Sequence, residues 1–221
     1  MGEHLLKVSS WNVRGLSAPH RVDIVSKWAR FRQRGTKIIA LQEMISEGPN
    51  LERALRRIMP DCHIVIDHNP NGIADFVLLI DRTLPILEQG CSGKGYAVWV
   101  KIRLAAGVIG IMGVHGPSHR SNRPEAWEWA HEVVREGKWV IIGDFNMVER
   151  RTDTLGPSPL IRGEELRRWA LCSNLLDTWP ADEQSMGSDE HLYGMVLEMA
   201  MPMGIPDQLQ EEDLDLEVFT A

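Results

Sequence analysis

The chain has 221 residues, 43% of them hydrophobic, with 31 acidic against 24 basic side chains and a formal net charge of −7. That length suits one α/β domain with a double-layered core, or a domain plus a tail, while three widely spaced cysteines, Cys62, Cys91 and Cys172, with no Cys-x-x-Cys pair exclude a disulfide framework or a cysteine zinc cluster. The net acidity does not exclude a polyanionic partner, because eleven of the acids and no Lys or Arg fall in residues 181–221, leaving a body of about +4.

Met1 to Val8 is too short and polar for a signal peptide, and no apolar run approaches the ~20 residues that span a bilayer, so a soluble, intracellular chain without a membrane partner is expected, nucleus or cytoplasm undecided. Leu5 to Asn12 reads as a strand, and Pro19 opens a helix that Gly35 stops after Arg34. Lys37 to Gln42 is a short, nearly continuous apolar strand of the kind found inside a sheet. Pro49 to Ile58 reads as a basic helix. From Cys62 the pattern turns to strands at 62–67, 73–80, 84–89, 96–103 and 107–114, separated by turn formers such as Asn69-Pro70-Asn71-Gly72 and Gly90 to Gly95. Arg123 to Glu136 is a helix with Pro124 in its first turn, and Lys138 to Gly143 is an apolar strand. A loop, Arg150 to Pro159, leads to a helix over Arg162 to Asn174; beyond Trp179 the pattern dissolves into an acidic segment with five of the ten Met, expected to be poorly ordered. Hairpins inserted between β-α-β units imply mixed sheets stacked on one another.

Asn12, Glu43, Asp144 and Asn146 each lie just past a strand of this series. Carboxylates at the C-terminal ends of buried strands are how an α/β protein gathers a metal and a phosphate at one rim. Two carboxylates and two amides make an oxygen shell suited to Mg²⁺, with Mn²⁺ as the substitute, and a second carboxylate there can activate water. Taken singly, each residue is equally well read as a loop or cap residue.

The stretches Ser10-Trp11-Asn12-Val13-Arg14-Gly15-Leu16, Ala40-Leu41-Gln42-Glu43 and Gly143-Asp144-Phe145-Asn146 resemble, in order and spacing, the endonuclease/exonuclease/phosphatase superfamily. The Asn-Val-Arg-Gly-Leu form and the Leu-Leu-Asp-Thr-Trp ending at Trp179 look most like the endonuclease domain of LINE-type, non-LTR retrotransposons, here C-terminally truncated. The resemblance implies a four-layered α/β/β/α sandwich of two stacked mixed sheets lacking the final strands over residues 1–179, with 180–221 as a tail. It also implies a Mg²⁺-dependent phosphodiester hydrolase with DNA as partner; a monomer is expected. In that scheme Glu43 and Asn12 hold the metal, Asp144 activates the attacking water, and Asn146 positions the phosphate.

The chain departs from the family pattern at two places. The usual Tyr-x-Pro reads His115-Gly116-Pro117, so His115 would donate to the phosphate in place of a tyrosine. His115 and His119 do not form a helical zinc pair, because Pro117 interrupts the spacing. The closing Arg-Ile-Asp and Ser-Asp-His elements are not recognisable; Ser188-Asp189-Glu190-His191 echoes the last with one residue inserted. That loss favours a non-catalytic remnant with weak nucleic-acid binding as the alternative to an active nuclease, and a phosphatase of small phosphoesters such as inositol phosphates is a third reading. Arg120, Arg123, Arg150 and Arg151, on loops after the His115 and Asp144 strands, are the expected substrate contacts, whereas Arg53, Arg56 and Arg57 read as a solvated helix face. Trp28, Trp99, Trp127, Trp139 and Trp169 fall at apolar-face positions and read as core.

Overall fold

The computed structural model describes residues 6–13, 29–30, 32–33, 35–117, 119–146, 175–177, 197–199 and 216–220. The expected helix from Pro19 is described only at Ala29, Arg30, Arg32 and Gln33, which are helical. The loop and helix expected over 150–174, and with them Arg150, Arg151, Trp169 and Cys172, lie outside the described residues, as do Trp28 and Ser188 to His191.

Strands β1 (Leu6–Asn12), β2 (Thr36–Glu47), β3 (Cys62–His68) and β4 (Ile73–Asp81) belong to one sheet, and β5 (Ile86–Cys91), β6 (Ala97–Leu104), β7 (Gly107–His115) and β8 (Lys138–Asp144) to the other. Three short strands take further places: β9 (Leu175–Asp177) and β10 (Leu197–Met199) beside β8, and β11 (Leu216–Thr220) parallel to β1. The sheet orders are β11-β1-β2-β4-β3 and β5-β6-β7-β8-β10-β9. Thus the sheets end, on the side of the chain's C-terminal part, in strands of three to five residues, while the rest of 178–221 lies outside the described residues.

Side chains alternate between two buried faces, which is why the strand sequences are apolar almost throughout. Val8, Ile38, Ala40, Phe76, Leu78, Ile80, Val98, Val100, Ile111, Val140 and Ile142 meet between the sheets. The alternate residues Ile39, Leu41, Val77 and Leu79 pack outward against Leu51, Leu55 and Met59 of helix α1 (Gly48–Ile58) and its exit. On the other outer face Met112, Trp139 and Ile141 meet Trp127, Ala130 and Val134 of helix α2 (Arg123–Val134). The result is an α/β/β/α sandwich. Trp127 and Trp139 are core and Trp99 is half-buried against Trp139, while Arg53, Arg56 and Arg57 are exposed on α1, with Arg56 paired to Glu52. Among the described residues no helix is long and apolar enough to cross a membrane.

The same alternation aims the strand ends. In β1 the even positions Leu6 and Val8 face the other sheet, and Asn12 continues that row; in β8 Val140 and Ile142 lead to Asp144, and in β7 Ile109 and Ile111 lead to His115. β1 pairs with β2 in parallel, and β7 with β8, so these ends lie at one rim; β4 runs antiparallel to β2 and brings its beginning there.

Candidate active site

Glu43 reaches this rim only through a local break in β2. Ile39 and Leu41 point toward α1, and a regular strand would send Glu43 the same way. Instead Gln42 pairs with Phe76 and Ser46 with Ala74, so that Glu43, Met44 and Ile45 together oppose the single residue Asp75. Met44 takes the place under α1, and Glu43 is released to the rim. This bulge holds Glu43 at φ 53° and Ile45 at φ 42°, in the left-handed region that β-branched residues avoid. Such strain concentrates at functional sites, where the surrounding structure enforces it.

Asn12 Nδ2 donates to Glu43 Oε1 at 2.8 Å and to Asp144 Oδ2 at 3.1 Å, joining the two sheets through one amide. Asp144 Oδ1 accepts the backbone N–H of Asn146 at 2.8 Å, and Asn146 Nδ2 donates to Gly116 O at 2.7 Å. Asn146 itself sits at φ 50°. Phe145, between the two, is buried beneath α2 and stacks on Trp127, with ring centroids 6.1 Å apart. The tetrad is therefore one anchor flanked by two polar side chains. Its first residue has to be glycine: Gly143 lies at φ 142°, and a Cβ there would stand 1.9 Å from Val114 O. Gly116 is under a similar constraint, since its Cβ would meet Phe145 O at 2.2 Å.

His115 lies in register with Asp144, and its backbone N–H donates to Tyr96 O at 2.7 Å. Its ring stands between carboxylates, with Nε2 3.9 Å from Glu43 Oε1 and Nδ1 3.7 Å from Asp75 Oδ2. Burial by itself would lower the imidazole pKa, but the neighbouring carboxylates of Asp75, Asp144 and Glu43 together outweigh it, and the net shift is upward from 6.5. Asp75 was not singled out in the sequence. It sits in an ordinary strand opening, Ile73-Ala74-Asp75-Phe76, and only the register opposite the bulge shows what it does.

The expected basic contacts divide. Arg120 is exposed in the short 3₁₀ turn Arg120–Asn122. Arg123 is only 2% exposed; its Nε donates to Pro117 O at 3.0 Å and its Nη2 to Asn146 O at 3.3 Å. Its guanidinium thus ties the loop after β7 to the loop after β8, a role that its place beside Pro124 in a helix start did not suggest.

Donor chemistry at the rim fits a divalent cation. Atoms of Glu43, His115 and Asp144 come within 4.8 Å of one another, and the Asn12 amide presents its N–H₂ between two carboxylates, where a positive group is favoured. Turned about its terminal bond, the same amide offers an oxygen instead.

No protein-family model and no curated protein matches the chain. Solved structures do. The endonuclease domain of TRAS1, a telomere-specific non-LTR retrotransposon, superposes with a TM-score of 0.60 at 15% identity over 86% of this chain and 95% of that one. D. rerio TDP2 complexed with a single-strand DNA product gives 0.58 at 13% identity over 89% and 84%, and the Xenopus laevis APE2 catalytic domain 0.54 at 16% over 72% and 65%. These likenesses, together with the two stacked sheets and their outer helices, show that the chain has the fold of the endonuclease/exonuclease/phosphatase superfamily.

Proposed function

We propose that the chain is a Mg²⁺-dependent phosphodiester hydrolase of the endonuclease type acting on DNA. The observation that carries this reading is the convergence of Asn12, Glu43, His115 and Asp144, from four strands of two sheets, on one rim between the sheets. The folds matched, among them a retrotransposon endonuclease domain and a protein bound to a single-strand DNA product, support a nucleic-acid substrate.

Glu43 and Asn12 would hold the metal, which supplies charge neutralisation at the phosphate oxygens. Asp144, fixed by the Asn146 N–H on one oxygen, is placed to take a proton from water attacking phosphorus in line with the leaving oxygen. His115, charged over a wider pH range than a free imidazole, donates a hydrogen bond to the phosphate, the part that the tyrosine plays in the family pattern that the sequence resembles. Asn146 uses one amide hydrogen on Gly116 O and keeps the other for the phosphate. Arg123 holds the two loops that carry these groups, and Arg120, beside them, contacts the DNA backbone, as Arg150 and Arg151 are expected to do. With Asp189 and His191 outside the described residues, His115 is the rim's described imidazole donor.

The test is nicking of supercoiled plasmid by the purified protein with Mg²⁺, beside Asp144→Asn prepared identically. Nicking by the wild type alone is expected. Equal nicking by both, or none by a folded wild type, overturns the proposal; the second outcome leaves a scaffold whose role is binding.

A further inference from the structure

His115 has no histidine partner in sequence, yet the fold gives it three acidic ones. Nε2 faces Glu43 at 3.9 Å and Nδ1 faces Asp75 at 3.7 Å, while Asp144 lies in register on β8, with ligand atoms of Glu43, His115 and Asp144 within 4.8 Å of one another. An imidazole that ligates a metal through one nitrogen characteristically gives its other N–H to a carboxylate, which sets the tautomer and orients the ring. Asp75 stands at that second nitrogen. The 3.9 Å between His115 Nε2 and Glu43 Oε1 is about half an ångström beyond the roughly 3.4 Å of two tetrahedral ligands with bonds near 2.1 Å, within reach of a side-chain adjustment. Mg²⁺ has little affinity for nitrogen, whereas Zn²⁺ and Co²⁺ favour it.

We propose that Glu43, His115 and Asp144 form a site for a nitrogen-seeking transition-metal dication, Zn²⁺ in the first place, which competes with Mg²⁺ and withdraws His115 from the phosphate. The proposal rests on the catalytic reading above for its inhibitory consequence, and on the ligand geometry alone for binding. His119, exposed and beyond Pro117, takes no part. Zinc therefore enters here through the tertiary partners of His115.

The experiment titrates Zn²⁺ and Co²⁺ into the purified full chain without DNA, following Zn²⁺ by calorimetry and Co²⁺ by visible absorption, with Mg²⁺ affinity measured in parallel. One site per chain is expected, with intensified Co²⁺ bands of a low-coordinate nitrogen and oxygen site. His115→Ala and Glu43→Gln should each weaken Zn²⁺ by tenfold or more, and only Glu43→Gln should weaken Mg²⁺ comparably. Asp75→Asn, which keeps the side chain's shape, should weaken Zn²⁺ about tenfold through the ring it orients; His119→Ala should change nothing. Zinc affinity unchanged in both His115→Ala and Asp75→Asn, or lost in His119→Ala, overturns the site. Plasmid nicking separates the two proposals. His115-dependent zinc binding without any Mg²⁺-dependent nicking sustains the metal site and defeats the nuclease. Nicking that zinc leaves untouched, in a protein whose zinc binding ignores His115, does the reverse.

Discussion

One buried acid and one cluster of half-buried acids in this molecule differ in how their charge is met. Asp67, inside the sandwich, accepts the backbone N–H groups of Gly93 at 2.8 Å, Gly95 at 3.0 Å and Ala97 at 3.3 Å, together with the hydroxyl of Ser92. It pins the turn between β5 and β6, where the sequence places the turn formers Gly90 to Gly95. At the rim, among the described residues, Glu43, Asp75 and Asp144 lie about the His115 imidazole, the Asn12 amide and the Asn146 backbone N–H. A carboxylate whose lone pairs are filled by fixed donors is a strut, while several that share few donors retain an electrostatic demand for a cation. The contrast teaches which acids build the protein and which are held ready for chemistry.

Breaking the rim should cost function and spare stability. Asp144→Asn is expected to reduce Mg²⁺-dependent nicking by about 10³-fold, the scale of losing a water-activating carboxylate. In the metal-free protein its urea-unfolding free energy should stay within about 1 kcal/mol of wild type, because a like charge is removed. Glu43→Gln should behave in the same way. Breaking the strut should do the opposite: Asp67→Ala leaves three N–H groups and a hydroxyl without their acceptor and should lower the unfolding free energy by about 3 kcal/mol. A destabilised Asp144→Asn, or an unaffected Asp67→Ala, would erase the distinction.

The pH dependence of stability sharpens it further. The folded pKa of His115 lies above its unfolded value of 6.5, so the stability it contributes is complete below pH 6.5 and is lost as pH rises through the folded value. The groups facing it are Asp75 from β4, Glu43 from β2 and Asp144 from β8. Denaturant midpoints of the metal-free protein should fall across that window, and His115→Gln should flatten the decline. The smallest effect is expected at Ile45, 59% exposed at φ 42°. Ile45→Gly relieves the left-handed strain at little packing loss and should leave stability unchanged or raise it by about 1 kcal/mol. A larger fall would mean that the bulge depends on the isoleucine.

Much of the fold is legible because the central strands are buried on both faces and read as continuous apolar runs between turn formers; Lys138 to Ile142 and Lys37 to Gln42 are the plainest cases. Predicted boundaries fail where irregularity begins. The β2 strand extends past Gln42 to Glu47 through a bulge that no local propensity signals, and β5 starts at Ile86 where the reading placed it at residue 84. Of the rim, Asn12, Glu43, Asp144 and Asn146 are legible because each is a polar side chain directly after an apolar run, in the order of the motifs the chain resembles. Asp75 and the buried contacts of Arg123 were not, because each depends on a segment far away in the chain.

The sequence by itself determined the strands, their two-faced burial, and thereby the polar residues left at their ends, since period-two alternation is a local property of the chain. Only the tertiary structure decided that Glu43 leaves the α1 face while Met44 fills it, that Asp75 stands behind His115, and that one asparagine spans two carboxylates from opposite sheets. Those relations follow from register and sheet stacking, which are set by pairings between residues as far apart as Asn12 and Asp144, and no window of sequence contains them.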